Sequence, residues 1–148
     1  MTKEELIELL SSKFKLIRVE VDYTQDKMAE ILGISKKTLV QIEKGRIHAN
    51  WTTTVALCAL FRTSSILEST LGDSPIEILE TIAHENILEV KEKTLGGHVW
   101  WREINSSELY KLQQNIISKH YRIINHNDYR IGSSFNKEEI EAFFIKIK

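Results

Sequence analysis

The stretch that decides the fold is Thr24–Asn50, TQDKMAEILGISKKTLVQIEKGRIHAN. Thr24 stands where a hydroxyl can accept an orphan backbone N–H, and Met28, Ala29, Ile31 and Leu32 lay an apolar stripe on a helix over Gln25 to Leu32. Gly33 follows, the residue that most readily takes the left-handed backbone ending a helix. Ser35 then caps a second helix, Lys36 to Lys44, with Leu39, Val40 and Ile42 inward and Gly45 as terminator. Two helices joined this tightly must touch at a small side chain, which Ala29 supplies. Ile34, Leu39 and Ile42 close the core beneath. The outward half of the second helix carries Lys36, Lys37, Thr38 and Gln41.

Helical periodicity extends to both sides of this pair. Leu6, Ile7, Leu10, Phe14 and Ile17 recur at three- and four-residue spacing and predict one amphipathic helix from about Lys3 to Val19. Asn50 caps a further helix over Trp51 to Phe61, and Ser64 or Ser65 a short last one ending near Leu71. Gly72-Asp73-Ser74-Pro75 holds the only proline and is the strongest break in the chain. The first domain is therefore expected to span 1–71, five short helices with tight turns.

Beyond the break, residues 72–97 carry a net charge of about −4 and read as an acidic linker with a helix starting at Ser74-Pro75-Ile76-Glu77. Residues 98–148 read as a small α+β domain. His98 to Ile104 is an aromatic and β-branched strand, and Leu109 to Ile117 a weaker candidate. His120 to Ile124 and Tyr129 to Ile131 flank a four-residue hairpin loop, Asn125 to Asp128. Asn136 caps a closing helix, Lys137 to Ile147. A three-stranded antiparallel sheet with flanking helices is expected.

Composition narrows the function classes. At 148 residues there is room for one ordinary core, or for a small domain with an appendage. Twenty Lys and Arg against 21 Asp and Glu leave a net charge of −1, so an affinity for polyanions would need a local patch. No run approaches the length of a membrane span, and MTKEELIELL sets two glutamates ahead of its apolar residues, unlike a secretory leader. A single cysteine excludes an internal disulfide and points to the cytoplasm. Cys58 occupies a small-residue slot between Leu57 and Leu60, as core or, alternatively, as a redox sensor. His84, His98, His120 and His126 lack metal-ligand spacing, so no metal or other cofactor is expected. No paired carboxylates, nucleophile with a base, or phosphate loop marks an enzyme; a nuclease built on His120, Tyr121 and Arg122 is the weakest reading.

The combination in Thr24–Asn50 resembles the helix-turn-helix domain of the phage-repressor family, the Cro and C1 or Xre-like type. The resemblance covers about residues 3–71 and rests on Thr24-Gln25, Ala29, Gly33 and Ile42-Glu43-Lys44-Gly45-Arg46. It implies a mainly α, five-helix, lambda-repressor-like domain whose helix 36–44 enters the major groove of double-stranded DNA. By the same resemblance Lys36, Lys37 and Gln41 would face bases, and Gln25, Thr38, Lys44, Arg46 and His48 would meet phosphates. Arg18 and Glu43 would form a structural pair. Departures are Asp22, where the family often has glycine, and Ala49, Trp51 and Thr54 near the fourth helix. None removes a DNA-facing group.

Charge agrees locally. Lys36, Lys37, Lys44 and Arg46 face one acid, Glu43, which Arg18 would neutralise, leaving enough for about four to six phosphate contacts. Lysines alone are usually a solvated face; here the turn residues and Gln25 accompany them. A repressor on a palindromic operator is the expected function, acting as a homodimer. Trp100, Trp101, Phe143 and Phe144 are the dimer candidates, and a protein or small-molecule effector could act at the C-terminal region. Arg122 and Arg130 either solvate an outer face or add phosphate contacts. The rival reading is an antitoxin-like interaction protein that binds a partner through its C-terminal region and represses its own operon.

Overall fold

The computed structural model describes residues 1–84 and 100–148, which fall in two compact units. In the first, α1 (Lys3–Ser11) opens with a capping box. Glu5 N donates to Thr2 Oγ1 at 3.1 Å, and Thr2 N to the Glu5 carboxylate at 3.0 Å. The helix expected to run on to Val19 instead breaks, and α2 (Phe14–Glu20) follows. The Ser12 hydroxyl donates to the Leu9 carbonyl at 2.7 Å, and Lys13 N turns to Leu10 O at 2.9 Å. A serine bonding its own backbone offers an alternative to the helical ladder, and the tightened turn re-aims the chain. Leu6 and Leu10 before the break, and Phe14 and Ile17 after it, thereby reach one core. The region to residue 71 thus has six helices rather than five.

Helices α3 (Gln25–Leu32), α4 (Lys36–Glu43), α5 (Trp51–Leu60) and α6 (Ser65–Leu71) are capped by Thr24, Ser35, Asn50 and Ser64. Each cap side chain accepts a backbone N–H two or three residues on, which satisfies donors that a helix start leaves orphaned. Asp22 takes φ 57°, so an aspartate serves the left-handed turn between α2 and α3. Thr54 is buried, its hydroxyl satisfied by the Asn50 carbonyl at 2.9 Å. Helix α7 (Pro75–His84) packs on α5 and α6 and places Leu79 in the same core. The N-terminal unit therefore runs past the break at Gly72. The rest of the expected acidic linker, from residue 85 to 97, lies outside the described residues, as do His98 and Val99 of the first expected strand.

The second unit is a four-stranded antiparallel meander, β1 (Trp101–Ser106), β2 (Tyr110–Asn115), β3 (Tyr121–Asn125) and β4 (Arg130–Ser134), in that order. Helix α8 (Lys137–Ile147) covers one face, its Ile140 and Phe144 packed on Leu112 and Ile123. Four strands replace the expected three because Leu109 to Ile117 supplies a full central strand. Its polar run, Lys111-Leu112-Gln113-Gln114-Asn115, hides the alternation. Leu112 faces the core opposite Ile123, while Gln113 is buried on the other face and accepts from Arg122 Nε at 2.9 Å. A buried glutamine with a fixed partner satisfies the sheet without looking apolar.

Glu20, at the end of α2, ties this helix to α6. Its carboxylate accepts from Ser64 Oγ at 2.5 Å, from Ser65 N at 2.7 Å and from the Ser65 hydroxyl. These bonds, the Ser64 hydroxyl first, hold its pKa at about 2 against an ordinary 4.5. A depressed carboxylate stabilises the fold fully above the unfolded value, and the gain is lost as pH falls from about 4.5 through about 2. Glu20→Gln should therefore flatten the acid limb of the stability curve in that window, read as urea midpoints against pH. An unchanged acid limb would contradict the assignment.

Candidate nucleic-acid interface

The turn between α3 and α4 follows from three residues. Gly33 takes φ 73°, which lets Gly33 N reach Glu30 O at 3.2 Å and Ile34 N reach Ala29 O at 3.0 Å. Ala29 is buried where the helices meet. Ser35 then restarts the chain, its Oγ accepting from Thr38 N at 3.1 Å and lying 2.9 Å from Thr38 Oγ1. With Leu39 and Ile42 anchored in the core, α4 presents Lys36 and Lys37 to solvent and leaves Thr38 and Gln41 half-buried.

The far end of α4 is fixed by Glu43. Arg18 Nε and Nη2 donate to its Oε1 at 2.9 and 2.8 Å, and Gln25 Nε2 to its Oε2 at 3.2 Å. Arg18 Nη1 also donates to the Tyr23 carbonyl at 3.1 Å. The side chains of Arg18 and Glu43 keep only 16% and 3% of their exposure. One carboxylate thus joins α2, the start of α3 and the end of α4. Gln25 braces α4 through this acid, a bond made inside the protein.

After α4 the chain turns at Gly45, φ 70°, and exposes Lys44, Arg46, Ile47 and His48. Arg46 N donates to Gln41 O at 3.0 Å, and Ala49 N to the Ser11 hydroxyl of α1 at 2.9 Å. The loop is therefore held at both ends while its side chains stay outside. Among the described residues Lys37, Lys44 and Arg46 make no ion pair; Lys36 does, with Asp26 of α3. Sequence reasoning overlooked Ser11 and Asp26, since a hydroxyl and a surface acid carry no periodic signal. It also passed over Lys3, whose ammonium lies 4.9 Å from the Trp51 ring centroid and covers the indole.

The residues singled out in the second unit divide differently. Trp100 is 55% exposed and Phe143 39%, but Phe144 is 1% exposed. Phe144 is the core of its unit, so naming it as a dimer contact is corrected: it cannot meet a second subunit without unpacking from Leu112 and Ile123. Trp101 lies under the Arg122 guanidinium, 3.7 Å from the ring centroid, with His120 edge-on at 4.9 Å. Burial, and then the charge of Arg130, lower the pKa of Arg122, which Asp128 raises. Arg130 itself is exposed. Cys58 is buried and its thiol pushed up to about 11, so reactive thiolate is scarce. Among the described residues no three His, Cys, Asp or Glu side chains gather as metal ligands, and no helix is long and apolar enough to cross a membrane. His98 lies outside the described residues.

The geometry is that of a tight helical pair with one outward, positively charged half. Residues 9–70 match the family described as Helix-turn-helix domain. Match and geometry agree that this part of the chain is similar to a helix-turn-helix domain. No curated protein and no solved structure matches the chain.

The Glu43 junction has a measurable signature. Arg18→Ala leaves a nearly buried carboxylate without its main partner and should cost about 3–5 kcal/mol in urea unfolding. The double replacement Arg18→Met with Glu43→Leu should cost less than that single change, because it removes the charge along with its partner. Strict additivity of the two replacements would show that the pair does not act as a unit.

Proposed function

We propose that this protein is a sequence-specific transcriptional repressor that binds a palindromic DNA operator as a homodimer in the cytoplasm, and that it is not an enzyme. The observation that carries this reading is the outward half of α4, braced at its far end by Glu43 and followed by a pinned loop whose Lys44 and Arg46 make no ion pair among the described residues. Lys36, Lys37 and Gln41 then read base edges in the major groove. A glutamine can bond adenine with two hydrogen bonds and a lysine can donate to guanine, each good pair being worth about 1–3 kcal/mol of discrimination. Thr38, Lys44, Arg46, His48 and Gln25 set the register on the phosphates. Gln25 can do so with the second N–H of its amide, since its bond to Glu43 uses only one of the two.

One module of this size grips few phosphates, which argues for two copies with their α4 helices about 34 Å apart. The exposed Trp100 and Phe143 are the candidates for joining them. Aromatic side chains supply large contact area at interfaces for little lost freedom. A protein or small-molecule effector would act at the C-terminal unit, and no metal or cofactor is needed for occupancy of the operator.

The direct test is fluorescence anisotropy with DNA from upstream of the gene against scrambled DNA, over a salt series. Tight, salt-sensitive binding with a clear preference is expected; weak binding to both, and to every sequence tried, would overturn the reading. Gln41→Ala should relax preference at one position of each half-site and leave non-specific binding nearly unchanged, whereas equal loss on all DNA would remove the base contact. Lys44→Ala or Arg46→Ala should weaken every sequence alike and shallow the salt slope by about one unit for each phosphate released. An altered preference at constant slope would contradict the phosphate role.

A further inference from the structure

Lys36 differs from the other cations of this surface. Its ammonium lies 3.1 Å from Asp26 Oδ2, across the turn that joins α3 to α4, and both side chains are more than half exposed. Exposed pairs of this kind add little to folding. Asp26 also lies in the first turn of α3, where an acid complements the helix dipole. Neither role accounts for spending the charge of a lysine that stands first on the recognition helix.

An ammonium has three donors and is a point charge that any phosphate satisfies. A lysine free to swing at this place would strengthen binding to all DNA alike. Paired with Asp26, Lys36 has its ammonium drawn to the first turn of α3 and its charge offset, while two donors remain for an acceptor in the groove. We propose that Asp26 is a positioning residue for Lys36: it fixes the ammonium for donation to a base and removes its pull on phosphates, so that Lys36 adds preference without adding general affinity. This rests on the DNA-binding reading above. It sets Lys36 apart from Lys44 and Arg46, which contribute unpaired charge.

The test uses the full chain and a binding sequence selected with it from a randomised DNA pool, compared with scrambled DNA over a salt series. Asp26→Asn should bind scrambled DNA about threefold to tenfold more tightly at low salt and steepen its salt slope by about one unit, the mark of one further phosphate contact. Affinity for the selected sequence should not rise by as much, so the preference falls. In a Lys36→Ala background the same change should shift both DNAs by one factor and leave the preference unmoved. A loss of helix stability alone would leave the salt slope where it was, and circular dichroism checks that each variant is folded. Equal shifts on both DNAs from Asp26→Asn alone, or an unchanged slope, would overturn the positioning role. Failure of the pool to enrich any sequence would instead overturn the DNA-binding reading, and this inference with it.

Discussion

The N-terminal unit hangs on a single carboxylate. Glu43 sits at the end of α4 with 3% of its side chain exposed, and a charge at that depth is tolerable only when its oxygens are occupied. Arg18 fills one oxygen with two N–H groups and Gln25 reaches the other, while the spare arm of Arg18 secures the Tyr23 carbonyl. Three helices and the turn between α2 and α3 are thereby locked in one geometry. Core packing of Leu39 and Ile42 sets which stripe of α4 faces inward. The directed bonds at Glu43 add a fixed point at the far end of the helix, joining it to α2 and to the start of α3.

That constraint also shapes the electrostatics. In a chain with net charge −1 a basic surface depends on where the acids lie and which of them are paired. Glu43 is consumed by Arg18, and Asp26 by Lys36. Lys37, Lys44 and Arg46 are left without a counter-ion among the described residues, on a helix start and a loop that Ser11 holds in place. Such a patch acts within about a Debye length, about 8 Å at physiological salt, so the balance of the whole chain has little bearing on it.

How much of this the sequence disclosed follows from the kind of signal each feature leaves. Caps at Thr24, Ser35, Asn50 and Ser64 were legible because helix starts require particular side chains. The apolar stripes of α3 and α4 were legible because a helix packed on one side repeats its buried positions every three or four residues. The break at Ser12 was not, since the spacing of Leu10 and Phe14 fits an unbroken helix equally well, and only the Ser12 bond to Leu9 O tips the backbone. Strand β2 was faint because Gln113 takes a buried position that alternation assigns to an apolar residue. Phe144 was misjudged for a related reason: adjacent phenylalanines on a helix look alike, and the sheet alone determines which of them it covers. Within the candidate site, Arg18 with Glu43 came through the resemblance, whereas the ion pair of Asp26 with Lys36 depends on how two helices cross.

The two units also differ in where their polar groups are used. In the second, Arg122 stacks on Trp101 and bonds Gln113, Arg102 donates to Gln114 at 2.8 Å, and Ser134 donates to Glu139 at 2.5 Å. Donors engaged in this way rigidify a sheet and have little left for a ligand. In the first unit the engaged groups, Arg18, Gln25 and Glu43, lie beneath α4, and Lys37, Lys44 and Arg46 stand exposed beside them. A rigid support beneath exposed cations holds them at a fixed spacing, which a loose surface does not.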